Sequence, residues 1–523
     1  MPLSSITPRT AADNPRRASL RVLALVLLFA TAAVYEAFSL SALNGTDVWS
    51  HLRTGTWILQ NHAVPHNGLF SQYPDLPWIT PTWGFDLLLA VAYKLIGLRA
   101  LPVLLMLFKT ALAVGLFLLA RGSRQNLWIP ALLAAVAQYA VAGLQLQPAL
   151  CSVLFCAIEL VLLFDARRSG STRLLLWLPP LFLVWANLDT HFVYGILVLG
   201  LLLAAVVTEG VCRRFGVRWF AEQAPPLPLG KLAPLTAASL FATLLNPYTY
   251  HVYEAALTDF GRSALLVYLP GLNAVGFRRP QDYVLLLLAM TAFLSLGRRH
   301  SRDLFQFGLM VAGAMLSFPA QRNSWLVAVA SVAVTGDALP VRRGGTAQEE
   351  ARPWTLENFA TAGLVLLVLW IAVISRVPFS REALLARVGR TLPVQACNYI
   401  REDHLPGPLF NAYEWGGFLT WYLPDYPVAI DARSDLYGDE INLRYFKLTH
   451  AEIPLSADFT FVYARTILLQ SSAPMAVALS ATPRFKVLYR DNLATVLAPQ
   501  SKPEGGEPPA NGEQKPLLLH PDK

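Results

Sequence analysis

The segment from Asn44 to Trp83, NGTDVWSHLRTGTWILQNHAVPHNGLFSQYPDLPWITPTW, concentrates side chains able to do chemistry in a chain that is otherwise poor in them. Asp47 and His51 are four residues apart and share one face of a helix, beside Ser50 and Thr54. A carboxylate next to an imidazole is equipped to take a proton from a hydroxyl, and Arg53 adds a cation. A second polar knot, Asn187-Leu188-Asp189-Thr190-His191, puts an amide, a carboxylate and an imidazole at the end of an apolar run. Arg322, between Pro319 and Asn323, stands at the end of another. Each also has a plainer reading. Aspartate ahead of an amphipathic helix is a favoured N-cap. Histidine or arginine at an interface is often only solvated or snorkelling, and a turn between two helices takes polar residues in any case.

The elements that must hold these groups follow from apolar patterning. Val48, Leu52 and Leu59 fall on one helical stripe with Trp49 alongside, which predicts a short amphipathic helix lying in a membrane interface and ended by Pro65. Of the 523 residues 54% are hydrophobic and only 15% charged, against about 25% charged in soluble chains, which excludes a soluble enzyme. The net charge of +8 does not point to nucleic acid, because the arginines come as short clusters between apolar runs (Arg16, Arg17 and Arg21; Arg167 and Arg168; Arg213, Arg214 and Arg218; Arg298, Arg299 and Arg302; Arg342 and Arg343). That spacing encodes topology. Cys151, Cys156, Cys212 and Cys397 form neither a disulfide frame nor a metal-ligand cluster.

The run 20–43 could pass for a signal peptide with a weak cleavage site at Ser39 and Ser41, but its 24 residues are long enough to span, so an uncleaved first span after a cytoplasmic tail of residues 1–19 is expected, and further apolar runs continue to about residue 375. If the short run 84–98, which carries Asp86 and Lys94, does not fully cross, eleven crossings leave every arginine cluster in the cytoplasm; a crossing hidden near 257–276 would make thirteen. Either odd count puts loop 44–83 and the C-terminal part on the outer face of the cytoplasmic membrane, with Asn61, Asn187 and Asp458 accessible there. Arg322 then lies outside, against the positive-inside trend, where an arginine suits a phosphate. Lys109 and Glu159 fall mid-run and are expected to face the interior and pair. Residues 341–354 read as a cytoplasmic linker. Residues 381–499 read as a small soluble α/β domain, with a helix entered at Pro393, a helix through Trp421, a helix near Ile441, and strands near Leu409, Val428–Ile430, Ile467, Phe485 and Thr495. Residues 500–523 have the composition of a disordered tail. The fold class is therefore mainly α: a polytopic membrane helical bundle of 11–13 transmembrane helices at 20–375, carrying an extracytoplasmic α/β domain. Asp431 and Arg433 could bind an acceptor, though such a pair at a strand end more often fixes a turn.

The order of short motifs resembles a known superfamily. Asp47-Val48-Trp49-Ser50-His51-Leu52 with Pro65, Phe70-Ser71 and Trp83, then Trp185-Ala186-Asn187 with His191 and Gly195, then Asn246-Pro247-Tyr248, is similar to polytopic bacterial membrane proteins of the GT-C glycosyltransferase superfamily, closest to members of unestablished substrate. Asn411, Trp415-Gly416-Gly417, Asp431-Ala432-Arg433 and Tyr437-Gly438 look like the outer domain that accompanies that core. The resemblance implies transfer of a sugar from a polyprenyl-phosphate carrier to a hydroxyl of a glycan, lipid or protein acceptor, with Asp47 as the catalytic base. His51, Arg53, Asn187, Asp189, His191 and Arg322 would then bind substrate. Relatives carry an acidic pair in the first loop where this chain has Asp47-Val48, so no residue is assigned as a metal ligand and a role for a divalent metal stays open. A transporter or flippase of lipid-linked sugars, and a non-catalytic envelope assembly protein, are the competing readings. Paired broken helices with midplane polar sites would mark the former.

Overall fold

The computed structural model describes residues 41–122, 128–141, 143–216, 226–261, 273–298, 303–338 and 380–500, with scattered positions in 265–269 and 360–375. The N-terminal tail, nearly all of the first span, the linker 341–354, parts of the run 356–375, most of 262–272 and the tail from 501 lie outside the described residues. The chain forms two compact units: residues 1–45, 55–64 and 80–384 make the first, and residues 46–54, 65–79 and 385–523 the second.

The first unit is helical. After α1 (Asp47–Asn61), which begins in the second unit, come α2 (Trp83–Ile96), α3 (Ala100–Arg121), α4 (Trp128–Ala140), α5 (Pro148–Ser169), α6 (Leu178–Leu188), α7 (Phe192–Arg214), α8 (Leu229–Thr243), α9 (His251–Gly261), α10 (Pro280–Gly297), α11 (Leu304–Ser317) and α12 (Ser324–Ala338). Among the described residues four helical segments are long and apolar enough to cross a membrane: 83–121, Pro148–Ser169, Phe192–Arg214 and Pro280–Gly297. Leu95, Trp177, Phe241 and Met315 are exposed, as side chains facing lipid are. Inside, Gly195 lets α7 close on α6. A Cβ there would come within 2.6 Å of Trp185 and 2.9 Å of Phe182.

The expected pairing of Lys109 with Glu159 is not formed. Both are buried, but neither Glu159 oxygen has a hydrogen-bond partner. The reason is helix register: Gly115 of α3 faces Ala157 of α5 while Gly122 faces Arg168, so the two helices run parallel. Lys109 and Glu159 then differ in depth by roughly eight residues, about 12 Å at 1.5 Å per residue. Arg167, read as part of a topology cluster, is also locked to Glu209 at 2.8 Å and to Asp303 at 3.1 Å.

The second unit adds α13 (Arg381–Val388, whose first turn belongs to the first unit), α14 (Val394–Glu402), β1 (Leu409–Asn411), α15 (Gly416–Tyr422), α16 (Ser434–Thr449), α17 (Phe459–Val462), β2 (Thr466–Gln470), α18 (Pro474–Ser480), β3 (Phe485–Arg490) and β4 (Ala494–Pro499). The sheet order is β1-β2-β4-β3, with β1 parallel to β2 and the other pairs antiparallel. The strand expected at Val428–Ile430 is only a bridge, Val428 pairing with Leu409 and Ser71. Asn411 takes the backbone groups a ladder would use, its side chain accepting from Ala429 N at 2.9 Å and donating to Ile430 O at 2.8 Å.

First-loop residues complete this unit. Trp49 packs on Trp421 and Phe418, with ring centroids 4.6 and 5.4 Å apart. Gly417 is needed where α15 meets the start of α1, since a Cβ would lie 2.6 Å from Thr46 O. Of the expected stripe, Val48 and Leu52, with Trp49 alongside, are buried against protein and Leu59 is half-buried, and the helix stops at Asn61, before Pro65. Asp458, expected to be accessible, is buried as the cap of α17, accepting from Thr460 N and Phe461 N.

Candidate functional site

The site residues expected from sequence fall into two sets: Asp47, His51 and Arg53 in the second unit, and Asn187, Asp189, His191 and Arg322 in the first. Asp47 is the first residue of α1 and half-buried. Its carboxylate accepts a hydrogen bond from Thr46 Oγ1 at 2.7 Å, and its carbonyl accepts one from Ser50 Oγ at 2.7 Å. His51 is half-buried one turn on. The Arg53 guanidinium lies 4.6 Å over the ring of Phe70. Burial lowers its pKa from the ordinary value, with Asp425 opposing.

The loop carrying Phe70 is held by the C-terminal elements. Gln72 Nε2 donates to Leu409 O at 2.7 Å, and Trp78 Nε1 to Asp435 Oδ2 at 2.9 Å. Arg433 donates to Leu69 O at 2.8 Å, lies 4.8 Å over the Trp78 ring, and grips the buried Asp431 through Nε at 3.0 Å and Nη2 at 2.6 Å. Burial alone would lower the Arg433 pKa, yet the Asp431 charge holds it above its usual range. Asp431 and Arg433 do fix a turn, through Arg433 N to Asp431 Oδ1 at 2.9 Å, and they also fasten the first loop.

In the first unit, Asp189 is a buried hub at the C-terminal end of α6. Its Oδ2 accepts from Ser152 Oγ of α5 at 2.5 Å and lies 2.9 Å from His191 Nδ1, while Ser152 Oγ accepts from Trp185 Nε1 at 2.6 Å. The carboxylate therefore sets which nitrogen of His191 carries its proton and fixes the ring's orientation. His191 packs edge-on to Trp325 at 6.5 Å, three residues after Arg322. Asn187 accepts from Trp83 Nε1 at 2.9 Å and donates to Leu183 O and Leu245 O, so its amide ties together three segments rather than standing ready for a ligand. Asp189 and His191 are brought together directly.

Ser152 and Asp86 were not singled out as site residues from sequence. Ser152 is a lone hydroxyl in an apolar run, with no pattern to mark it. Asp86 is buried and accepts from Thr80 Oγ1 at 2.9 Å, and its signal was a carboxylate in a run otherwise apolar up to Lys94. Among the described residues no three His, Cys, Asp or Glu side chains gather to hold a metal ion.

A bundle of apolar helices in the first unit and a small sheet in the second define a mainly helical, polytopic membrane protein. Among solved structures it is similar to ArnT from Cupriavidus metallidurans bound to undecaprenyl phosphate, with TM-score 0.50 and 14% identity over 92% of this chain and 99% of that one. It is also similar to the apo oligosaccharyltransferase of Archaeoglobus fulgidus, with TM-score 0.51 and 13% identity over 87% of this chain and 70% of that one. At such identity the likeness is one of fold. Neither a scan of family models nor a search of curated proteins gives a match.

Proposed function

We propose that this protein is a membrane glycosyltransferase that moves a sugar from a polyprenyl-phosphate carrier to an acceptor hydroxyl at the outer face of the cytoplasmic membrane. The observation that carries the reading is a fold likeness spanning 92% of this chain and 99% of a structure that holds undecaprenyl phosphate. In this reading Asp47 takes the proton of the acceptor hydroxyl, His51 and Arg53 steer the incoming groups, and Asn187 shapes the helix ends. Asp189 orients His191, and the protonated ring, with Arg322, offsets the negative charge left on the departing phosphate. The test begins with the purified protein and mass spectrometry of co-purifying lipids, followed by transfer assays with the lipid-linked sugar so identified. Release of free polyprenyl phosphate with a glycosylated product is expected. A protein that binds lipid-linked sugar and moves it across vesicles without product is a flippase, and the proposal falls.

A further inference from the structure

The second unit carries a groove that none of these roles uses. A cavity of about 430 Å³ opens beside the end of α14, lined by Arg401, His404, Leu405, Pro408, Asp425 and Tyr426, among others. That is the size of a small-ligand site. Its backbone is largely spoken for. Leu409 O and Pro427 O accept from Gln72 Nε2, Pro408 O from Arg465 N, and Leu405 O from Tyr426 OH at 2.7 Å. Pro408 and Pro427 have no N–H to offer, so an extended peptide finds no main-chain ladder to join.

What remains are side-chain heads of mixed kind. Arg401 is held over the ring of Tyr422 at 5.1 Å and donates to Asn398 Oδ1 at 2.7 Å. His404 and Asp425 are exposed, and among the described residues no hydrogen bond engages the imidazole of one or the carboxylate of the other. The lining thus carries one cation and one anion, so an anionic ligand meets Asp425 and a cationic one meets Arg401. A neutral polyol is opposed by neither: the carboxylate accepts from adjacent hydroxyls, while guanidinium and imidazole donate to others. The Tyr426 ring and Pro408 offer an apolar wall for the C–H face of a sugar ring.

We propose that this groove binds a neutral, hydroxyl-rich glycan, gripped by Asp425, Arg401 and His404 against Tyr426. The inference does not need the transferase reading, because binding is measured without turnover and stands whether or not transfer is found. The full-length protein in detergent is titrated with neutral hexasaccharides built of hexose or of N-acetylhexosamine, with a uronate hexasaccharide, and with a pool of neutral dodecapeptides. Saturable binding of at least one neutral hexasaccharide is expected, weakened tenfold or more in Asp425→Asn and in Arg401→Gln. Both positions are exposed, so thermal unfolding should be unchanged. Absence of neutral-glycan binding, binding indifferent to both substitutions, or preference for the uronate or the peptides each overturns the proposal.

Discussion

Replacing Arg433 with Gln removes the partner of a carboxylate that is fully buried. Asp431 then keeps only the backbone N–H of residue 433 among the donors it has from that residue, having lost its contacts to Nε and Nη2. Breaking a buried pair from one side costs about 3–5 kcal/mol. Loss of the bond to Leu69 O adds about 1 kcal/mol. The total, about 4–6 kcal/mol, corresponds to about 8–24 °C in a unit of this size, at about 2–4 °C per kcal/mol. Unfolding followed by tryptophan fluorescence, with Trp78 under the guanidinium, and by protease cleavage within 65–79 reads the effect directly. Asp431→Leu combined with Arg433→Met removes both charges and should recover at least half of the loss. A shift under about 2 °C for the single variant, or a double variant as damaged as both singles summed, refutes the assignment of this pair as the fastening of the first loop.

Asp47→Asn keeps the bond from Thr46 but cannot act as a base, so transfer should drop by about a hundred to ten thousand fold with unfolding unchanged; near-parental turnover removes Asp47 from the chemistry. In the proposed function, Asp189→Asn should weaken binding of the lipid phosphate about tenfold or more, because the amide no longer fixes the tautomer and orientation of His191, and unchanged binding would falsify that role. Burial raises Tyr73 to about 12 from 10.0 and also pushes Tyr437 and Tyr445 up. The folded second unit thus keeps protons that the unfolded chain releases near pH 10, so stability is intact below that pH and falls as pH rises toward about 12; a flat unfolding profile from pH 9 to 11.5 contradicts it. For topology, cysteines at Asn61 and at the exposed Glu440 should react with an impermeant thiol reagent in intact cells, and cysteines at Arg299 and Arg343 only after permeabilisation. The reverse pattern inverts the assigned orientation.

The helical membrane class was legible from composition and run length because lipid imposes those constraints on every span. The strands at Leu409, Ile467, Phe485 and Thr495 were legible too, from apolar runs bounded by turn residues. Val428–Ile430 looked the same and failed, because a side chain eighteen residues away in sequence from Ala429, Asn411, supplies its hydrogen bonds. The depth mismatch between Lys109 and Glu159 depends on helix register, which single residues do not encode. In the site, Asp189 and His191 could be found from spacing alone. Ser152 could not, since its importance comes only from the fold bringing α5 against the end of α6. The burial of Trp49 on Trp421 joins residues more than 370 apart, and an amphipathic stripe says only that an apolar partner exists.

That junction also sets an order of assembly. Residues 46–54 and 65–79 leave the ribosome long before residues 385–523, with which they form one compact unit. At about 5–20 residues per second the roughly 300 residues between them take about 15–60 s to synthesise. During that interval Trp49 waits without Trp421 and Phe418, and Phe70 without Arg433. Pairing across such a separation is slow as well as late. A gene fragment beginning at residue 385 would express a sheet lacking the helix that covers Phe418, and supplying residues 44–80 as a separate peptide should restore it. The second unit is therefore completed only when residues from 385 onward have been made.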